Sequence, residues 1–448
     1  MAVQQFVDRM FLAWYSSEAI AATMSAGILN FTVINLFVGT AGYVGTFVAQ
    51  FWGADQEDRI GPIIWQGGYV AAAAALVHLL MIPLAGPFFR LVGHEPVVQN
   101  LEVIYFQIIC LGAGPGVASA VLAGFFLGRG KTLYVMTVSI AGTIINMFFN
   151  YVLIFGSLGF PEMGVTGAAI ATLISTLFIF TVFSILVFRS AHEKTYRTHS
   201  GWRLDVPLFI RLLRFGLPNG VQFFLSHMSI AAFILLVGRL GTVELAATSI
   251  AFNINMLAFM PMIGFGMAVM ILVGQNQGQE RPDLSERSIY SGFLLTYIYM
   301  TTIALLYVIV PHMFLWPFAV KADPGSFAPI YRTTTILLRF VAVYCLFDTL
   351  SIIFASGIKG AGDTRFVMIA IAFLSLFGLG LPTYIALVHL NQGLYTAWTI
   401  ITIYISLLGF IFMFRFLGRK WKTMRVIETR EPVLPAAVHI EPALSDES

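Results

Sequence analysis

The chain has 448 residues, 58% hydrophobic and only 10% charged, with a mean hydropathy of +0.85 and a formal net charge of +3. A soluble chain of this length would fold as about three domains, and so little charge excludes that class. The slight positive balance is no nucleic-acid signal, and Cys110 and Cys345, both in apolar runs, exclude a disulfide framework.

The start shows no basic region followed by a cleavage site, so no cleavable signal peptide is predicted. Apolar runs of about 20 residues recur along the chain, each able to cross about 30 Å of hydrocarbon as a helix. Helices satisfy their own backbone groups where water is absent, so helices are the predicted spans. Twelve fall near residues 1–15, 25–52, 61–89, 101–127, 133–157, 165–188, 210–238, 245–275, 288–319, 333–358, 366–389 and 394–417. The predicted fold is an all-α polytopic membrane protein with twelve transmembrane helices in two pseudo-symmetric six-helix lobes. The first helix is short, about 22 Å at 1.5 Å per residue.

Lys and Arg set the topology. Nineteen flank the ends that share a side with both termini, four flank the other side, and Arg9 and Arg339 lie within spans. That bias predicts cytoplasmic termini in a multi-pass inner-membrane protein. The charged linker from Arg189 to Arg203 separates residues 1–195, carrying spans 1–6, from residues 196–420, carrying spans 7–12. Residues 421–448, acidic and carrying Pro432 and Pro435, are predicted to be a disordered cytoplasmic tail.

The two halves repeat. Gly128-Arg-Gly-Lys-Thr132 followed by Val135-Met136 recurs as Gly360-Ala-Gly-Asp-Thr364 followed by Val367-Met368, an offset of 232. Ile20-Ala-Ala-Thr23 recurs as Leu245-Ala-Ala-Thr248 at offset 225, where Asn30, Gly39, Gln50 and Gly53 also match Asn255, Gly264, Gln275 and Gly278. Matches in register at nearly one offset point to duplication. Six spans per half make the repeat parallel, with a cavity expected between halves, as in transporters.

Polar groups at membrane depth mark candidate sites. Asp8, Asn150 and Thr172 each lie seven residues from the outer end of their span, about 10 Å, with Asn146 a turn deeper on the face of Asn150. A carboxylate, two amides and a hydroxyl are hard donors suited to a hard cation rather than to zinc or copper, and a buried carboxyl can equally carry a proton. The bland reading is that the amides and Thr172 only join helices. Asp348, in span 10, is a second candidate for substrate or proton coupling; Arg339 is on the opposite face, which leaves His227 as a possible partner. Gln222 and Asn255 are weaker candidates, and His78 reads as structural. The 41 Phe and 18 Met suit a cavity that re-packs around apolar cations. Gly128-Arg-Gly-Lys-Thr132 is not a phosphate-binding loop, since Phe125 stands where that motif needs Gly and an apolar helix precedes it. Asn30-Phe-Thr lies inside span 2 and is no glycosylation site. No Ser-His-Asp, HExxH or Cys-cluster pattern suggests an enzyme, and no cofactor is expected beyond a coupling ion.

Several stretches resemble the multidrug and toxic compound extrusion (MATE) family, of its bacterial NorM-like type. These are Val7-Asp8 with Phe11-Leu12 and Glu18-Ala-Ile-Ala-Ala22; Asn146 with Asn150-Tyr-Val-Leu-Ile-Phe-Gly156; Phe160-Pro-Glu-Met-Gly164; Gly167-Ala-Ala-Ile-Ala-Thr172; and Gly360-Ala-Gly-Asp-Thr364. The resemblance covers nearly the whole chain. It implies two six-helix lobes that export small organic cations in exchange for Na+ or H+. It implies a first-lobe cation site on Asp8, Asn146, Asn150 and Thr172, and a span 10 acid at Asp348. The chain departs from the pattern in three places. Many members carry Asp where this chain has Asn150. Members with the span 10 acid often carry Glu in span 7, where this chain reads Phe224-Leu-Ser-His227. The first-helix bend proline falls before Met1. The leading reading is a monomeric antiporter with a small organic-cation substrate and no nucleic-acid partner. The alternatives are a flippase for lipid-linked precursors, which would favour a cationic cavity, and a non-transporting receptor or scaffold.

Overall fold

A computed structural model describes residues 2–319 and 324–428, and every regular element in them is helical. The first half comprises α1 (Ala2–Tyr15), α2 (Ser17–Gly42), α3 (Val44–Gly53), α4 (Ile60–Met81), α5 (Ala85–Val92), α6 (Pro96–Leu111), α7 (Ala113–Leu127), α8 (Thr132–Phe155) and α9 (Gly164–Val187). A short α10 (Ser190–Tyr196) leads to the second half. That half comprises α11 (Val206–Val237), α12 (Thr242–Gly278), α13 (Pro282–Ile309), α14 (Pro311–Ala319), α15 (Pro324–Ala361), α16 (Thr364–Leu374), α17 (Leu381–Tyr384) and α18 (Leu394–Leu417).

Ten stretches among the described residues are long and apolar enough to cross a membrane, and α6 with α7, bent by 41°, makes an eleventh. With the 14-residue α1, too short to cross alone, they account for the twelve expected spans. Leu235, Leu257, Ile309 and Phe414 are 63–76% exposed, as expected of large apolar residues that face hydrocarbon rather than water.

Several boundaries differ from those the hydropathy predicts, each for a local reason. Span 2 begins at Ser17 rather than near 25. Ser16 is extended (φ −163°, ψ 158°) and its Oγ accepts the Ala19 N–H at 3.0 Å, an N-cap that starts the helix within hydrophilic sequence. Span 9 breaks at Val310 (φ −130°, ψ 50°), because the following Pro311 excludes the helical conformation there. Span 11 contains two π-helical turns, Ser375–Gly380 and Ile385–His389, on either side of the α17 turn that carries Pro382, a place where the ring removes a backbone donor.

Buried apolar side chains segregate by half. The largest cluster draws its members from Phe233 to Trp421. A second runs from Ala41 to Val187 in the first half and takes in only Tyr196, Leu208, Leu212, Val426 and Ile427 from beyond it. Residues 421–428 are therefore not disordered, which corrects the predicted tail. Trp421, 1% exposed, stacks on Phe416 at 5.4 Å and donates from its indole to the Phe416 carbonyl at 2.9 Å. Charge around this segment hid three apolar anchors, Trp421, Val426 and Ile427, that burial outweighs. The remainder of the predicted tail, 429–448, lies outside the described residues. Trp421→Ala should destabilise the protein by about 3–5 kcal/mol, the usual cost of emptying a buried aromatic site, read as a lowered midpoint of thermal unfolding in detergent.

Candidate cation site and the seam between the halves

The short first helix is fixed by aromatic contacts. Phe11 packs against Phe155 at 6.0 Å and Tyr151 at 6.2 Å, and Leu12 joins Ile154, Val165 and Ala168 in a small core. Its last residue, Tyr15, lies over Gly164, where a Cβ would sit 2.6 Å from the ring. This packing sets the rotation of α1 and turns Asp8 toward α8.

There the sequence expectation meets its geometry. Asn150 Nδ2 donates both to Asp8 Oδ1 at 2.5 Å and to Asn146 Oδ1 at 3.0 Å. Both amides are fully buried, and Asn150 Oδ1 and Asn146 Nδ2 have no hydrogen-bond partner. Buried polar atoms are usually paired, so two orphans in one cluster mark an arrangement that is incomplete as helix glue. Tyr105, on α6, lies within electrostatic reach of Asp8; the sequence offered no sign of it beyond a polar tip in an apolar run. Among the described residues no three His, Cys, Asp or Glu side chains are grouped to hold a metal, so a cation here would meet one carboxylate and neutral oxygens. Thr172 is half-buried on α9. Its carbonyl accepts from Ser175 Oγ at 3.0 Å and Thr176 Oγ1 at 2.8 Å, and its own hydroxyl makes no hydrogen bond to Asp8, Asn146 or Asn150.

The second-half candidates do not form one site. Asp348 is half-buried on α15 with no compensating charge beside it; the Tyr344 and Tyr404 hydroxyls lie within its electrostatic reach. His227 is not its partner. The imidazole Nδ1 bonds the Phe223 carbonyl one turn back on α11 at 2.8 Å, and the ring meets Phe31 edge-on at 5.2 Å. Asn255 Oδ1 accepts the Cys345 thiol at 3.2 Å. Gln222 Oε1 accepts from Lys359 Nζ at 3.3 Å, beside Asn219 Oδ1 at 3.2 Å. His78 is fully buried, with Nδ1 on the Ala74 carbonyl at 2.8 Å and Nε2 without a hydrogen-bond partner. Among the described residues, four buried charges escaped the sequence reading because each lies near the edge of a predicted span: Arg129, Lys359, Asp363 and Glu102, the last fully buried and 2.7 Å from His94.

The halves meet along α2 with α11 and α3 with α12. Gly39 faces Gly220 so closely that a Cβ would lie 2.7 Å from its Cα, an approach that only small residues permit. The repeated residues then cross over. Gln50 Nε2 donates to the Gly360 carbonyl at 2.9 Å, and Gln275 Nε2 donates to the Gly128 carbonyl at 2.8 Å. Gly53 packs on the Gln275 carbonyl and Gly278 on the Gln50 carbonyl. Each half thus offers the same glutamine, the same glycine and the same turn to the other. Tyr43 donates to the Lys359 carbonyl at 2.5 Å, Asn219 donates to the Gly39 carbonyl at 2.8 Å, and the Val426 N–H reaches Gln50 Oε1 at 2.9 Å. Except for the Asn219 bond to Gly39, these bonds lie at the Lys- and Arg-rich ends of the helices.

A short first helix carrying an acid against two amides, followed by eleven long spans closed at one end by a repeated motif, is the arrangement to compare with known proteins. The MatE family model matches residues 1–152 and 218–385. The chain belongs to the MatE family. Among curated MatE relatives, the chain is 29% identical over 396 residues to "Probable multidrug resistance protein NorM" of Burkholderia pseudomallei, covering 87% of this chain and 83% of that one. It is 25% identical over 434 residues to the Thermotoga maritima protein of the same name, covering 95% and 90%. A solved structure described as the outward-facing conformation of a multidrug resistance MATE family transporter of the MOP superfamily superposes with a TM-score of 0.84 at 19% identity, covering 93% of this chain and 91% of that one. These are multi-pass membrane transporters rather than enzymes, and the MatE fold accounts for the long apolar spans.

Proposed function

We propose that this MatE protein is a secondary antiporter exporting small organic cations in exchange for Na+ or H+, with Asp8, Asn146 and Asn150 as its ion site. The observation that carries this reading is the Asn150 amide held between Asp8 Oδ1 and Asn146 Oδ1 with its own oxygen unpartnered. Half a turn of that amide exchanges its nitrogen and oxygen. Three oxygens then converge, one of them charged, a donor set for a hard monovalent cation. A protonated Asp8 is served by the same turn, since its new O–H needs the acceptor that Asn150 Oδ1 becomes. Binding of either ion replaces the bonds that now link α1 to α8. The ion therefore has different affinities for different arrangements of these helices, which coupling requires.

The relatives' name, multidrug resistance protein, supports varied apolar cations as cargo, and the excess of Lys and Arg at the closed seam supports cytoplasmic placement of that end and of both termini in the inner membrane. In this reading residues 1–195 and 196–420 are the lobes that rock, and Thr172 and Asp348 face the route of ion or cargo. Among the described residues Lys359 is a buried cation between the halves, and it would favour an anionic cargo such as a lipid-linked precursor. Its ammonium already meets the Asn219 and Gln222 oxygens, which commits it to the seam.

Efflux of a fluorescent organic cation from proteoliposomes, with Na+ and pH gradients imposed separately, tests this. Efflux should follow one gradient and stop when that gradient is collapsed. Equal cargo movement with neither gradient, or movement of lipid without drug, would remove the antiport reading.

A further inference from the structure

A separate polar site lies at the Lys- and Arg-rich end of the first half, outside the membrane spans. A cavity of about 50 Å³ opens there between the ends of α7, α8 and α9, lined by Arg129, Lys131, Arg189, His192 and Tyr134. Arg129 is 6% exposed. Its Nε donates to the Phe125 carbonyl at 2.9 Å, and the guanidinium lies 3.6 Å above the Phe125 ring and 4.7 Å from the Tyr196 ring. The stacking holds the plane of the fork. The Tyr196 hydroxyl is a nearby side-chain acceptor, too poorly placed for a well-formed bond, and both terminal nitrogens, Nη1 and Nη2, are buried with no geometrically satisfied hydrogen bond. Glu57 influences Arg129 only through space.

The field around the cavity is strongly positive. Burial holds His192 below its ordinary value, and Arg129, Lys131 and Arg189 press it lower still, so the ring is neutral near pH 7 while three cations face one small space. A fixed guanidinium fork with two free donors fits two oxygens of a phosphate or carboxylate, and Lys131 and Arg189 are placed to meet the other oxygens of a phosphate. The surroundings choose between sources. Leu133, Tyr134, Met136 and Ile140 on α8, and Ile185 on α9, are exposed in the direction of the bilayer, where acyl chains would continue from a headgroup.

We propose that Arg129, Lys131 and Arg189 bind the phosphate of an anionic phospholipid headgroup at the membrane surface. The residue before Arg129 gives the site a consequence. Gly128 presents the carbonyl that Gln275 binds across the seam, so a lipid that steadies this turn also steadies closure of the two halves at this end. The lipid would favour the closed arrangement by as much as it binds it better than the open one.

The test uses the full-length protein in detergent with added phosphatidylglycerol, phosphatidylcholine or inorganic phosphate, read by native mass spectrometry and by thermal unfolding. One phosphatidylglycerol should be retained per protein in preference to phosphatidylcholine, with a higher unfolding temperature. Arg129→Gln and Lys131→Gln should each weaken that retention about fivefold, the share of one cation near an anionic surface. If Arg129 serves only to stack on its rings, Arg129→Gln lowers stability equally in both lipids and retention is unchanged, which overturns the proposal. A shift produced in full by inorganic phosphate alone overturns the lipid source. Should Arg129→Gln fail to fold, Lys131→Gln and Arg189→Gln, both at exposed positions, decide the matter by the same retention measurement.

Discussion

Asp8→Asn is expected to abolish ion-driven efflux while the protein still folds and inserts. The substitution keeps an oxygen where Asn150 Nδ2 now donates at 2.5 Å, so the link between α1 and α8 has an acceptor to retain. It removes the only formal charge in the cluster. A cation taken from water into this site would then meet neutral oxygens alone, and losing the charged partner of a buried ion costs about 3–5 kcal/mol, roughly 100-fold or more in affinity. A proton would find no group to bind at all. Asp8→Ala makes the useful contrast, because it also orphans the amide and should lower stability as well as transport. The measurement is efflux under an imposed gradient, with thermal unfolding as the control for folding. Unimpaired gradient-dependent efflux by Asp8→Asn would end the assignment of the ion site.

The second large effect is expected at the seam. Gln50→Ala with Gln275→Ala removes both crossing amides at once. Each loss leaves a buried carbonyl, Gly360 or Gly128, without its donor, and the first also strands the Val426 N–H. An abandoned buried group costs about 1–3 kcal/mol. With three groups abandoned, the pair shifts the balance away from closure at this end by about 3–9 kcal/mol when the losses add, enough to exchange the major and minor populations. Spin labels at Lys131, just before α8, and Arg287, near the start of α13, should report a longer distance in the double variant than in the unaltered protein. Each single variant should fall between them, with Gln50→Ala the nearer to the double variant because it also loses the Val426 N–H. An unchanged distance distribution would mean that the glutamines decorate the seam and do not hold it.

How much of this could be read in advance depends on the range of the interaction. Asn146 and Asn150 were legible as a pair because four residues on a helix always share a face, whatever the rest of the chain does. The start of span 2 was missed for an equally local reason, a serine cap inside a polar stretch, which hydropathy averaging hides. His227 was misjudged as a partner for Asp348 because the rotation of α11 against α2, with Phe31 beside the ring, is a packing outcome. Lys359 was counted among flanking charges, since nothing local says that Asn219 and Gln222 will enclose it.

The chain by itself determined the membrane class, the twelve helices, the duplication and the polar residues worth watching, because hydrocarbon demands a particular length and composition and helices impose a fixed period. The tertiary structure alone decided which of those residues meet. Asp8 and Asn150 are separated by 142 positions, and their contact depends on how the aromatic side chains of α1 seat it against α8. The duplicated glutamines show the same limit. Their matching offset was visible as letters, but that each reaches into the other half follows only when two helices are brought close enough, through glycine, for side chains to find the opposite backbone.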